Sequence, residues 1–353
     1  MLGKLLVRVI GLTLAMLIAD GASVVRAADE SRRIIFDTDM DSDCDDVGAL
    51  AMLHILADRG EVELLATICS ARSEWAPRCV DAINTWYGRP DLPIGAPKNV
   101  GAKQSSRYAR PIAERFPHDL TSDADAEEAA ELYRRVLSEQ PDDSVVIVTV
   151  GDLTNIASLL KLPATQDQPS GLAVVHKHVR EWVCMGGNFI GRPAKDDLKL
   201  TNNNFTGDKQ SSYEAIRSWP GRLTFVGREI GSVPSGLKVG GKLQALPVEH
   251  PVRVGYEAYF GGPPRDRHVA DQTAVLYAAR GLGEFWTVES TGYMDVQPDN
   301  TFEWRYDRDG DHAYLLKRAT DANSDPKPDS IDRRVETVIE ELMMAPPVAA
   351  AAK

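Results

Sequence analysis

The 353-residue chain has little cysteine: Cys44, Cys69, Cys79 and Cys184, with no Cys-x-x-Cys pair. So few thiols make no disulfide framework, and their spacing offers no zinc-binding pair. Cys69 and Cys184 lie in apolar, strand-like runs and are expected to be buried; whether Cys69 pairs with Cys79 is left open. Basic charge is scarce as well. Against 52 Asp and Glu stand 40 Lys and Arg, a formal charge of -12. A grip on a nucleic-acid polymer or an anionic membrane needs a basic surface, and nothing in this balance supplies one. Internal repeats and linker-like stretches are also missing. The apolar N-terminal run covers only residues 9–19, whereas a bilayer-spanning helix needs about 20 residues.

That run is nonetheless informative. Lys4 and Arg8 precede it, Asp20 ends it, and Val25-Arg26-Ala27 follows as a small-residue cleavage site. The pattern is that of a signal peptide over residues 1–27. The mature chain is therefore expected to be exported, periplasmic or extracellular, with no membrane association after cleavage. Composition is that of a soluble globular protein, 43% hydrophobic and 26% charged. Residues 28–344 read as one α/β domain, and 345–353 (APPVAAAAK) as a disordered tail.

Within the domain, short β-branched runs alternate with helical stretches, the signature of a largely parallel sheet flanked by helices, with a Rossmann-like core. Strands are predicted at 33–36, 62–68, 144–150, 179–185 and 223–226, with a short one beginning at 93–94. Helices are predicted at 45–59, 77–87, 126–138, from 151–155 onward and from Asp208. The last large helices are predicted at 249–260 and 269–280. Residues 97–124, polar and Pro-containing, read as a long surface loop.

The densest chemistry follows the first strand. Asp37, Asp39, Asp41, Asp43, Asp45 and Asp46 fall within ten residues, directly before a helix. In a parallel α/β sheet this puts carboxylates at the carboxyl end of a strand, where ligands bind. So many like charges repel unless a cation neutralises them, and hard oxygen ligands point to Ca²⁺ or Mg²⁺ rather than Zn²⁺. An acidic helix-capping loop would account for one or two of them, not six. An EF-hand loop needs Gly at its sixth position and Glu at its twelfth. Counting from Asp37 gives Ser42 and Gly48, and counting from Asp39 gives Cys44 and Leu50, so neither register fits. A phosphatase of the haloacid dehalogenase type also opens with an apolar strand and Asp-x-Asp, here Asp37-Thr38-Asp39, but wants Thr or Val where Asp41 stands.

The segment resembles the inosine–uridine-type nucleoside hydrolases. It shares their Asp-Thr-Asp (residues 37–39), a turn lengthened as in a branch reading DTDxGxDxDDxxAL, the Asp45-Asp46 pair and Ala49-Leu50. Further blocks follow in the family's order. They are Val150-Gly151-Asp152-Leu153-Thr154-Asn155-Ile156-Ala157, Met185-Gly186-Gly187, Asn204 with Asp208, and Asp271-Gln272-Thr273-Ala274-Val275.

The resemblance implies Ca²⁺-dependent hydrolysis of the N-glycosidic bond of ribonucleosides, giving free base and ribose. It implies a small-molecule nucleoside or riboside as partner and a homodimer or homotetramer as assembly. By the same resemblance Asp39 is the base that activates water and also touches the metal. Asp46, the Val150 carbonyl and Asp271 complete the metal shell, while Asp45, Asn204, Asn202 and Asp271 hold the sugar. Asp43, inside the turn, is the alternative base. Departures are Asp41 in place of Gly, Asn202 where Glu is frequent, and Ala270 where some members carry a His that protonates the leaving base. Nearby His268 is three residues from Asp271, and Trp304, Tyr256 and Tyr259 are stacking candidates. A noncatalytic, exported nucleoside- or sugar-binding relative is the other reading, since fold does not guarantee turnover.

Overall fold

β1 (Arg32–Thr38) is the axis of the molecule. Ile34, Ile35 and Phe36 are fully buried in this computed structural model, which describes residues 31–189, 203–232, 235–308, 310–318 and 330–348. The signal-peptide residues 1–27, Asn202 and tail residues 349–353 lie outside the described residues. The remaining strands are β2 (Val62–Cys69), β3 (Ile94–Ala96), β4 (Glu127–Glu128), β5 (Val145–Thr149), β6 (Val179–Met185), β7 (Leu223–Val226), β8 (Trp286–Glu289), β9 (Tyr293–Val296), β10 (Phe302–Arg305) and β11 (His312–Lys317). The first six helices are α1 (Asp45–Asp58), α2 (Ala76–Trp86), α3 (Ala109–Arg115), α4 (Ala129–Ser138), α5 (Thr154–Lys161) and α6 (Gly171–His178). Then come α7 (Asn203–Thr206), α8 (Lys209–Ser218), α9 (Arg228–Gly231), α10 (Pro251–Phe260), α11 (Ala270–Arg280) and α12 (Ile331–Met344).

Among the described residues, nine strands form one sheet in the order β4-β3-β2-β1-β5-β6-β7-β11-β8. Every pairing in it is parallel except β11 with β8. β9 and β10 form a separate antiparallel pair. Both faces of the sheet are covered, which is why its central strands read as apolar runs without alternation. Ile34 and Phe36 join one hydrophobic core, with α1, α2, α10, α11 and α12; Ile35 joins the other, with α4, α5 and α8. The winding reverses between β1 and β5, and the crevice beyond their carboxyl ends is where open α/β sheets bind ligands.

Three predicted elements are corrected. Residues 97–124 are not all surface loop: they contain α3, whose Ala109 and Ile112 are buried along with the flanking Tyr108 and Phe116. The helix predicted from residue 126 starts at Ala129, because Glu127–Glu128 pairs with β3 as an edge strand. The α11 helix is not the last large one. α12, 14 residues long, packs on α1, and with α10 and α11 it explains why α1 is buried on every side from Asp45 to Leu56. In the tail, the Val348 amide donates to Asp58 Oδ2 at 3.0 Å. All four cysteines are buried free thiols, so Cys69 and Cys79 are unpaired. Among the described residues no helix is long and apolar enough to cross a membrane.

Candidate active site and metal centre

Of the six aspartates only Asp37 lies within β1, which ends at Thr38. Successive side chains of β1 point to opposite faces, and Asp37 points away from the other carboxylates toward α4 and α5. There it accepts hydrogen bonds from Tyr133 Oη (2.8 Å) and Asn155 Nδ2 (3.1 and 3.2 Å). Burial pushes its carboxyl up to about 7, with those hydrogen bonds opposing. Asp37 therefore ties the sheet to two helices and does not line the cavity described below.

Asp41 is turned out of the cluster as well. Its φ of 92° lies in the left-handed region that disfavours a side chain. The strain is offset locally. Asp41 Oδ1 accepts from the backbone N–H groups of Arg107, Tyr108 and Ala109 at 2.8, 2.7 and 2.9 Å, at the start of α3. The Asp41 N–H donates to Tyr108 Oη (2.6 Å), and the Tyr108 hydroxyl donates to the Asp43 carbonyl (2.6 Å). An acidic residue in the turn thus anchors a segment that reads in sequence as a long surface loop. Asp41→Ala should cost about 2–4 kcal/mol in denaturant unfolding, from lost acceptors and an unrelieved left-handed φ. Asp41→Asn, which keeps an acceptor oxygen, should cost less than half as much.

Asp43 is held in an ion pair. Arg267 Nε lies 3.0 Å from both its oxygens, Arg267 Nη2 donates to Oδ2, and His268 Nε2 is 3.3 Å from Oδ2. Burial opposes ionisation, but His268 and Arg267 hold the carboxyl well below the usual range.

The remaining aspartates converge. Carboxylate oxygens of Asp45, Asp46 and Asp271 all lie within 4.8 Å of one another, although Asp271 comes from α11, 225 residues beyond Asp46. Asp46 Oδ1 accepts from the Thr38 hydroxyl, and its buried Oδ2 has no hydrogen-bond partner. Burial pushes Asp46 and Asp271 well above the usual carboxylate range, with mutual repulsion adding to it; Asp45 rises to about 7 for the same reasons. Asp39, half-buried beside them, is pushed up to about 6 by burial. An orphaned buried oxygen amid crowded hard ligands fits a divalent cation of the Ca²⁺ or Mg²⁺ type. A second group, Asp43, Asp45 and His268, meets the same distance criterion.

Asp39, Asp45 and Asp271 share a cavity of about 540 Å³ with Val150, Met185, Asn204, Tyr259 and His268. Gly151 lets β5 approach closely here: a Cβ on it would stand 2.6 Å from Asp39 N and Cβ. Asn204 Nδ2 donates to the Val150 carbonyl (2.6 Å) and the Met185 carbonyl (3.1 Å), so it spans the ends of β5 and β6. Asp271 does not cap its helix. Val269 occupies that position, and Asp271 lies in the first turn of α11.

Of the predicted site residues, the structure thus brings together Asp39, Asp45, Asp46, Val150, Asn204 and Asp271, and sets Asp43 against Arg267. Asn202 lies outside the described residues. Of the aromatics, only Tyr259 lines the cavity. Trp304 is buried with its indole N–H on the Thr291 carbonyl, and Tyr256 is fully buried beside Gln272. Sequence reasoning passed over Arg267 and Arg228, because single arginines carry no motif.

A profile described as inosine-uridine preferring nucleoside hydrolase matches residues 34–299. No curated protein sequence matches the chain. Among solved structures, the purine-preferring ribonucleoside hydrolase of Gardnerella vaginalis is 16% identical, covering 88% of this chain and 99% of its own, with a TM-score of 0.59. The inosine-uridine preferring nucleoside hydrolase of Bacillus anthracis is 13% identical over the same shares, also at 0.59. The type III effector protein XopQ, solved in complex with adenosine diphosphate ribose, is 14% identical over 91% of this chain and 94% of its own, at 0.60. At such identities the likeness is one of fold.

Proposed function

The chain belongs to the inosine-uridine preferring nucleoside hydrolase family, a family of metal-dependent N-glycosyl hydrolases, and we propose on that footing that it is an exported, Ca²⁺-dependent ribonucleoside hydrolase in which Asp39 activates the attacking water. The observation that carries this reading is the meeting of Asp39, Asp45, Asp46 and Asp271 at the point where the sheet reverses its winding.

Asp46, Asp271, Asp39 and the Val150 carbonyl would hold the ion. Bound there, Ca²⁺ supplies positive charge and open coordination positions that orient water and a ribose diol. The protein's own groups do the rest. Asp39 takes the proton of the water as its oxygen adds to the anomeric carbon, while the carbon–nitrogen bond breaks through an oxocarbenium-like transition state. Burial raises the Asp39 carboxyl above the ordinary carboxylate value, which strengthens it as a proton acceptor, and a cation bound beside it would favour its ionised form. Asp43 is a poor substitute, since Arg267 and His268 stabilise its charge and lower its basicity. Asp45 accepts hydrogen bonds from the ribose hydroxyls, and Asn204 closes the other side of the sugar. Export is proposed on residues 1–27, and assembly as a homodimer or homotetramer is carried over from the family.

The assay uses the protein recovered from the exported fraction, whose N-terminus should be Ala28. Inosine, uridine and p-nitrophenyl riboside are supplied with Ca²⁺ and with chelator. Sugar release lost on chelation is the expected result. The effector XopQ, with its bound adenosine diphosphate ribose, favours a second reading, a binding relative without turnover. Metal and sugar binding with no release would establish that one instead. Phosphate release from phosphomonoesters would return the phosphatase.

A further inference from the structure

The cavity is acidic at its floor and basic at its rim. Lys103, Arg107, Arg228 and Arg267 all line it. Two of these are already engaged: Arg267 with Asp43, and Arg107 with the Ser42 carbonyl at 3.1 Å. Lys103 and Arg228 are different. Among the described residues neither side chain has a hydrogen-bond or ion-pair partner, and Arg228 is half-buried. A partly buried guanidinium without an acceptor, in a protein with twelve more acidic than basic side chains, is a donor set awaiting an anion.

The topology says where that anion would lie. Arg228 directly follows β7 and Gly227, and its N–H donates to the Gly187 carbonyl at 3.0 Å, just beyond β6. It therefore stands on the Asn204 side of the cavity, with β5 and β6 between it and the aspartates that follow β1. Lys103 pairs with Arg72, just past β2, and so flanks the opposite side.

We propose that Arg228 is a phosphate-recognition residue and that the preferred substrate is a ribonucleoside 5′-phosphate. This rests on the reading above, in which the ribose lies between Asp45 and Asn204. With the 2′,3′-diol facing the aspartates, the base and the 5′ carbon both point away from them, and the proposal sets the 5′ carbon on the Arg228 side. Water adds across the carbon–nitrogen bond: its oxygen goes to the anomeric carbon, a proton goes to the departing base, and the phosphate stays on the sugar. The products are free base and ribose 5-phosphate.

The test compares kcat/KM for uridine 5′-monophosphate and uridine, with Ca²⁺ present, and calorimetric binding of ribose 5-phosphate and ribose. The wild type should favour each phosphorylated ligand at least about tenfold, the usual worth of a charge-assisted hydrogen bond. Arg228→Met should lower both ratios about 10- to 100-fold, and Arg228→Lys should restore part of the loss, since it keeps charge but not the fork. A wild-type preference for uridine would overturn the proposal while leaving nucleoside hydrolysis intact. Equal losses in Lys103→Met and Arg228→Met would also overturn it, since they would mean diffuse attraction to the rim rather than a site. If neither substrate turns over, the hydrolase reading fails and binding decides. Arg228-dependent preference for ribose 5-phosphate keeps the inference, and equal binding of the two sugars ends it.

Discussion

Asp39→Asn should lower kcat on a nucleoside by a factor of about 100 to 10,000, the range for loss of a general base, with an unchanged circular dichroism spectrum. Asparagine keeps the size of the side chain and cannot take a proton. The fold should survive because the residues that bolt the turn in place are others. Asp37 ties β1 to α4 and α5 through Tyr133 and Asn155, and Asp41 anchors the start of α3. Activity within about tenfold of wild type would move the base to Asp43 and refute the assignment. Asp43→Asn is the matching control. It would also release Arg267, so its loss should appear as much in stability as in rate.

The second large effect is on stability, and its sign is specific. Asp37, Asp39 and Asp45 have folded-state values of about 7, 6 and 7, all above the ordinary 3.8, chiefly through burial. A carboxyl raised in this way favours folding fully below its unfolded value, and that contribution fades as pH climbs through the folded value. The metal-free protein should therefore lose thermal stability as pH rises from about 4 to about 7. Saturating Ca²⁺ should restore it near pH 8, by about 2.7 kcal/mol at a hundred times Kd. Asp46→Asn removes a buried carboxylate whose Oδ2 has no partner. It should raise the metal-free melting temperature at pH 8 and abolish the response to Ca²⁺. A metal-free protein most stable at pH 8, or an Asp46→Asn protein still stabilised by Ca²⁺, would contradict the arrangement.

Much of this could be read from residue order. The fully buried Val145–Thr149 strand and the alternation of short β-branched runs with helices led to the parallel sheet. The Asp39 turn, Asp45-Asp46, Val150, Asn204 and Asp271 blocks all belong to one cavity or its floor. The errors have common causes. α3 was missed because its apolar face is short, Ala109, Ile112 and Ala113, among charged and Pro neighbours. α12 lies inside the predicted domain but is not among the predicted helices, although its Val335, Ile339 and Leu342 have helical spacing, because charged residues outnumber that short apolar stripe.

The six aspartates mark the boundary between the two kinds of information. Their number and their position after an apolar strand were enough to announce a hard-cation site, because clustered charge is costly wherever it folds. Which of them share that site was not written in their order. Strand alternation turned Asp37 to the opposite face, a left-handed turn sent Asp41 to α3, and Arg267, more than 200 residues away, took Asp43. Asp271 replaced them from α11. Linear spacing sets what charge is available, but direction in space depends on backbone dihedrals and on partners distant in the chain. Only the packed sheet and helices determine those.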